Sequence, residues 1–284
     1  MTADQWTRRV REQLGLGRLL PLGGVHGGAW LAESAARGEL LRAAAHLAGV
    51  RVGALRVGPL EGAATREPAV PPPASALRPG PLRLTAEFAA AGTQPLPASG
   101  AQLRAVLEAA AGERLGLDLA RIDLRATGLL DVDAEAAAPR SEDAAAQEDA
   151  AAQGAGNATV RGAESTAVRG AEDSPGSRGS LDAAGPGGAS AEEERVRQAA
   201  ARVPGVARLT GVLGGLGRPV HLETVESGTA ALPRRHARVE LAVARGHQAL
   251  EVALAVRRAV GAALPDEPVV AVVVTAVDGE PAGK

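Results

Sequence analysis

Ala199-Ala200-Ala201-Arg202-Val203-Pro204-Gly205-Val206 and Ala43-Ala44-Ala45-His46-Leu47-Ala48-Gly49-Val50 are the two stretches on which the fold turns. In each, an alanine-rich run that favours helix meets a glycine, which stops the helix just before a β-branched residue can open a strand. Strand candidates follow the later stretch at 206–213 and 220–225. A third, Arg238-Val239-Glu240-Leu241-Ala242-Val243, alternates polar and apolar residues as a half-buried strand does. Next comes a helix with Ala249, Val252, Ala253, Val256, Val260, Ala263 and Leu264 on one face and Glu251, Arg257 and Arg258 opposite, ended by Pro265. The valine-rich run at 269–277 reads as a strand covered on both faces or lying in mid-sheet.

The earlier stretch is followed by the same signals in the same order. A strand near 52–57 leads into a proline-rich loop at 68–81, and Leu82-Arg83-Leu84-Thr85-Ala86-Glu87-Phe88 alternates cleanly. A helix from Ser99 presents Leu103, Val106, Leu107, Ala110 and Leu115, and 121–125 closes the set. Recurrence of helix stop, strand, strand, helix and strand predicts an internal duplication. Upstream, Ser34 can cap the helix carrying Leu40, Leu41, Ala44 and Leu47, while Ser190 and Glu193 form a capping box for its counterpart with Val196, Ala199, Ala200 and Val203. With 29–33 as a leading strand the first copy reads βαββαβ, a split βαβ order. The second copy has no obvious leading strand, so its sheet edge is either open or closed by a partner strand.

Between the copies, 133–190 carries almost no large apolar side chains and is dense in Ala, Gly, Ser, Asp and Glu. Such a stretch cannot bury enough surface to offset its ordering entropy. It reads as a disordered linker, about 40–45 Å long root-mean-square, so that the flanking modules need not touch. The expected organisation is therefore α+β: an amphipathic helix within 1–20, a first α/β module at 21–132, the linker at 133–190 and a second α/β module at 191–280.

The net charge of −2 conceals a partition. Roughly thirteen acids against four arginines fall in 133–194, leaving the flanks at about +3 and +4. Aromatic residues make up 1% of the chain, namely Trp6, Trp30 and Phe88, so the cores are built from Leu, Val and Ala. The single lysine among many arginines is a compositional habit, and arginine richness alone argues little. Without cysteine there are no disulfides and no thiolate metal sites. The N-terminal residues lack the apolar stretch of a signal peptide, and the longest apolar run is about half of what spans a bilayer. The expected location is the cytoplasm, with a peripheral place at the membrane surface left open.

Two resemblances bear on role. The helix ending Arg202-Val203-Pro204-Gly205-Val206, the valine-alternating strand, Gly246 leading into the helix, Arg257-Arg258-Ala259-Val260 and the closing valine strand resemble the alkaline-shock-protein or Gls-type envelope stress response family. The first module resembles it more loosely, with Ala48 in place of proline. The whole chain, from Trp6-Thr7-Arg8-Arg9 through Leu19-Leu20-Pro21, resembles actinomycete proteins filed under a nucleopolyhedrovirus P-ten family label. The envelope-stress resemblance implies a non-catalytic, self-associating or membrane-protein-tethered protein, and it supplies no set of catalytic residues to carry over.

The residues themselves offer little chemistry. His26, His46, His221, His236 and His247 show no helical metal-ligand spacing. The glycine clusters at 15–17, 22–28 and 211–217 lack the contexts of a phosphate loop or a dinucleotide fingerprint and read as turns. No catalytic residue, metal or cofactor is therefore expected. The candidate interaction surface is Arg234, Arg235 and Arg238 entering a strand, with Arg257 and Arg258 on the long helix. The leading expectation is a scaffolding protein that self-associates and docks on a protein partner, with membrane anchoring of that partner left open. The alternative is non-specific nucleic-acid binding through those arginines. A third reading folds the acidic linker back onto the basic surface.

Overall fold

The structure, a computed structural model, describes residues 15–130, 186–213, 218–225 and 234–278. The expected helix near 3–14 and nearly all of the expected linker lie outside them. The chain is α+β with two sheets. Its first half contributes strands β1 (Leu19–Leu22), β2 (Ala29–Ala32), β3 (Val50–Pro59), β4 (Leu82–Ala91) and β5 (Leu119–Leu130). Helices α1 (Glu33–Ala44) and α2 (Leu96–Ala109) lie among them, α2 running on into a π-helical turn, Ala110–Leu115. The second half supplies α3 (Pro186–Ala201), β6 (Val206–Leu209), β7 (Val220–Val225), β8 (Arg234–Ala244), α4 (Ala249–Ala263) and β9 (Val269–Asp278).

The small sheet has the order β3-β4-β5, antiparallel then parallel. In the large sheet β8 pairs antiparallel with β7 along its first part and with β6 along its last, and parallel with β9 on its other side. β6 and β7 together thus occupy the place that β3 holds alone, and both halves share one topology. The likeness extends to single atoms. Gly49 and Gly205 both have positive φ, and each carbonyl accepts a hydrogen bond from the last residue of the middle strand, Ala91 N–H at 2.7 Å and Ala244 N–H at 2.8 Å. Three residues earlier both parallel pairings slip: β5 skips Thr127 opposite Phe88/Ala89, and β9 skips Thr275 opposite Leu241/Ala242. Each skipped threonine donates its hydroxyl to the carbonyl beside it, Thr127 to Phe88 and Thr275 to Leu241, both at 3.2 Å. Two bulges built alike at matching positions support the duplication.

The linker length left open whether the two modules touch, and they do: the described residues of both halves fall in one compact unit. The predicted leading strand exists as β2, but it does not join the small sheet. It pairs parallel with β9, Ala29 opposite Val272 and Leu31 opposite Val274, and β1 pairs antiparallel with β2 beyond it. The edge that looked open in the second copy is therefore closed by the chain's own first half, and the boundary at residue 21 cuts through β1. The far side of β1 is met in turn by the loop at 75–77, where Leu19 N–H donates to the Ser75 carbonyl and Leu77 N–H to the Leu19 carbonyl.

One apolar core spans both copies, with Leu40, Leu84, Leu103 and Leu107 in the same buried cluster as Val239, Leu241, Val256 and Val272. Helix α1 packs on strands of both sheets, β3 and β9. Its start shows how position overrides a local signal. Ser34, the expected cap, lies inside the first turn, and the N-cap is Ala32, whose side chain cannot cap. The helix begins instead at Glu33, a carboxylate that suits the helix N-terminus and meets Arg18 Nε at 3.3 Å. Helix α3 likewise begins at Pro186, four residues before the expected Ser190. On its other face the large sheet is covered by a smaller cluster, in which Trp30, 1% exposed, packs with Leu16, Leu19, Val70 and Val273. Both faces of β9 are thereby dry through most of its length, which explains its valine-rich, uncharged run as far as Val277.

Candidate interaction surface

The arginines singled out from the sequence are placed at the second copy's strand entrance and long helix, and most of them are tied into the fold. Arg235, at the start of β8, donates to Glu192 on α3 at 2.6 Å and to Asp266 after α4 at 3.1 Å. The Glu192 hydrogen bond holds its guanidinium pKa above the ordinary arginine value, helped by the Asp266 charge. Arg257 donates to the carbonyls of His26 and Gly27, in the second case at 3.1 Å, and so fastens the β1–β2 turn to α4. Arg258 is exposed and reaches its own helix at the Leu254 carbonyl, 3.4 Å away. Arg234 is exposed. These residues do not converge. Arg238 lines a cavity of about 110 Å³ beneath Pro71, Pro72 and Pro73, whereas Arg257 and Arg258 line a different, open one of about 810 Å³ beside Val70 and Glu267.

Around Arg238 the register gathers a polar cluster that the sequence reading did not anticipate. On β7 and β8, His221 stands opposite Arg238 and Glu223 opposite His236, and these side chains share the small cavity under the prolines. Burial pushes the His221 pKa below its ordinary value, and the neighbouring Arg238 charge pushes it further. Its Nε2 lies 3.1 Å from the Arg218 carbonyl. Glu240 is fully buried two residues along β8, with one oxygen accepting the Val212 and Leu213 N–H groups at 2.7 and 2.9 Å. That carboxylate anchors the chain just after β6 at Val212 and Leu213; the rest of the glycine cluster, 214–217, lies outside the described residues. Among the described residues no group of three His, Cys, Asp or Glu is placed to hold a metal ion. The cavity is also smaller than the roughly 300–1,000 Å³ usual for small-molecule sites.

A second basic group lies where α1 meets the π-helical turn. Buried Glu39 accepts from Arg42 on its own helix and from Arg114 at 2.8 Å. Burial, then the charges of Arg245 and Arg114, lower the Arg42 pKa from its ordinary value. Arg245 follows β8, so this cluster joins both copies.

The small sheet differs from the large one in two respects. Its face away from the helices is not covered by a loop among the described residues, and Arg56, Thr85, Glu87, Asp123 and Arg125 surround a shallow depression of about 350 Å³ there. Asp123 accepts from Arg121 at 2.9 Å and from Arg83 at 2.5 Å, and these bonds, that from Arg121 foremost, hold its carboxyl below the usual carboxylate range. The second difference is the outer edge of β5. In the other copy the matching edge of β9 carries β2, whereas β5 has no strand beyond it among the described residues. Residues 126–129 are exposed and uncharged, and Leu129 is 69% exposed.

Comparison with protein-family models, with curated proteins and with solved structures returns no match to this chain.

No helix among the described residues is long and apolar enough to cross a membrane.

Proposed function

We propose that this protein is a non-catalytic interaction and scaffolding protein that self-associates and docks on a protein partner, in the manner implied by its resemblance to envelope stress response proteins. One observation carries the reading. The two copies agree down to a threonine-stapled bulge, yet one has its parallel edge covered from within the chain and the other has no strand on that edge among the described residues. A duplicated unit with one copy's edge occupied provides a scaffold plus a place to add a strand, the mode in which backbone hydrogen bonds recruit a partner. The alternative of nucleic-acid binding through the five arginines has less support, because Arg235 and Arg257 are spent on internal contacts, and Arg238 lines one cavity while Arg257 and Arg258 line another.

The test is crosslinked recovery of the full chain from fractionated cells at low and high salt. Recovery of one defined protein that resists high salt, together with self-association of the purified chain, is the expected result. Nucleic acid that is released by salt, and released again by Arg234→Glu with Arg258→Glu, would replace this reading with the alternative.

A further inference from the structure

We propose that β5 is a self-association strand: the outer edge of β5 in one molecule pairs antiparallel with β5 of a second copy, about a two-fold axis at Leu124. The two three-stranded small sheets then become one continuous sheet. This deepens the scaffolding reading and rests on it, by naming the surface and its occupant.

The covered edge of β9 shows what the fold accommodates. Its counterpart β5 has the same neighbour on one side, the same bulge and the same threonine staple, and the same relation to a helix packed on one face. At β9 the outer backbone groups are met by β2, along Ala29, Trp30 and Leu31. At β5 a strand of 12 residues presents those groups with no strand beside it among the described residues. A long edge strand of this kind is a template for pairing unless something covers or blunts it. At the far edge of the small sheet an outward backbone group is already occupied: the Arg18 guanidinium donates to the Val57 carbonyl of β3 at 3.2 Å.

The choice of occupant follows from the residues of β5. Pairing with β4 puts Ile122, Leu124 and Ala126 on the helix-covered face, opposite Leu84, Ala86 and Phe88, and puts Arg121, Asp123 and Arg125 on the open face. Antiparallel pairing of two β5 strands about Leu124 sets Leu124 against Leu124 and Ile122 against Ala126 on the first face. On the second it sets Asp123 of each molecule against Arg125 of the other, twice by symmetry. Cross-strand pairs of opposite charge stabilise a sheet and like charges opposite one another destabilise it, so the alternation of Asp123 and Arg125 selects this register. Arg125 is available for it, because its side chain is 81% exposed and its ion pair with Glu87 is stretched to 3.9 Å. The same register carries exposed Leu129 toward Leu119 of the partner, so that the apolar end of the strand gains cover. An isologous interface of this kind closes on itself and stops at a dimer.

The test uses the full chain in analytical ultracentrifugation at concentrations up to about 100 µM. The expected species has twice the 28.5 kDa of the chain. Arg125→Asp, which puts aspartates opposite one another at both symmetric positions, should weaken the dimer about tenfold or more. Leu129→Lys, at an exposed site that folding does not depend on, should weaken it independently. Because the chain has no cysteine, Leu124→Cys should form a disulfide-linked dimer on mild oxidation, and Arg56→Cys on β3 should not. A monomer throughout the concentration range overturns the proposal, as does a dimer that ignores Arg125→Asp and does not crosslink through position 124. A monomer that still recovers a defined partner leaves only the docking part of the scaffolding reading in place, while self-association and the β5 pairing fall. A chain with neither property loses both.

Discussion

If both copies share one core, damage at the far side of the small sheet must be felt by a reporter in the large sheet. Leu103 on α2 is the perturbation and Trp30 on β2 is the reporter. They belong to different buried clusters, so no direct contact links the two. Leu103 is fully buried, and replacing it with alanine leaves a cavity that costs about 2–5 kcal/mol in a close-packed core. With a urea dependence of about 2–3 kcal/mol per molar, a 3 kcal/mol loss moves the unfolding midpoint down by roughly 1 M. The chain has two tryptophans, and Trp6→Phe leaves Trp30 as the single indole, whose burial gives it a blue emission that shifts red on unfolding. In this background, Leu103→Ala should move the Trp30 fluorescence midpoint and the far-ultraviolet circular dichroism midpoint together by that amount. Coincidence of probes is the mark of a single cooperative unit. A Trp30 transition that stays in place while part of the circular dichroism signal melts earlier would refute the shared core.

Two further outcomes are expected. Since burial and Arg238 depress the folded-state pKa of His221 below its unfolded value of about 6.5, the unfolded chain binds the proton first; this residue's contribution to stability is complete above that pH and is lost as pH falls through the depressed value. Urea midpoints at neutral and mildly acid pH should therefore fall further for the wild type than for His221→Gln, and equal pH dependences would dismiss the effect. Gly205→Ala should destabilise by well over about 1 kcal/mol, because a Cβ there adds a clash 2.6 Å from Val252 and 2.8 Å from His247 to the strain of positive φ. Gly246→Ala carries the same backbone strain with open space around it, so it should cost about 1–2 kcal/mol, and equal losses at the two glycines would show that the clash is relieved.

The elements were legible where their cause is local. Strands β4, β8 and β9 and helix α4 declare themselves by alternation or helical spacing, and their observed bounds extend the expected ones by only a few residues. The helix stops at Gly49 and Gly205 could be read because positive φ is a property of a single residue. What could not be read depends on partners far apart in sequence. Strand β1 is a run of four residues with no alternation, and it exists because β2 and the 75–77 loop flank it. Ala29 meets Val272 across most of the chain, and no spacing rule announces a parallel pairing at that range. The arginines show the same limit: Glu192, Asp266 and the His26 carbonyl occupy them from elsewhere in the chain. Thr127 and Thr275 did carry a signal, one threonine near the end of each copy's last strand, but it becomes visible only once the bulges fix the alignment.

The parallel pairing of β2 with β9 has a consequence for how this molecule tolerates being cut. A single scission anywhere between β5 and α3 severs the one covalent link between the halves but leaves their shared core and the β2–β9 ladder intact. The protein then becomes a complex of two homologous fragments, each supplying strands to the large sheet. Such fragments recombine when their joint surface is large enough to offset the effective concentration that the connection had supplied. The chain is in this sense a heterodimer of its own halves. A protease that cuts between β5 and α3 is expected to leave two fragments held together by that core and ladder until denaturant separates them.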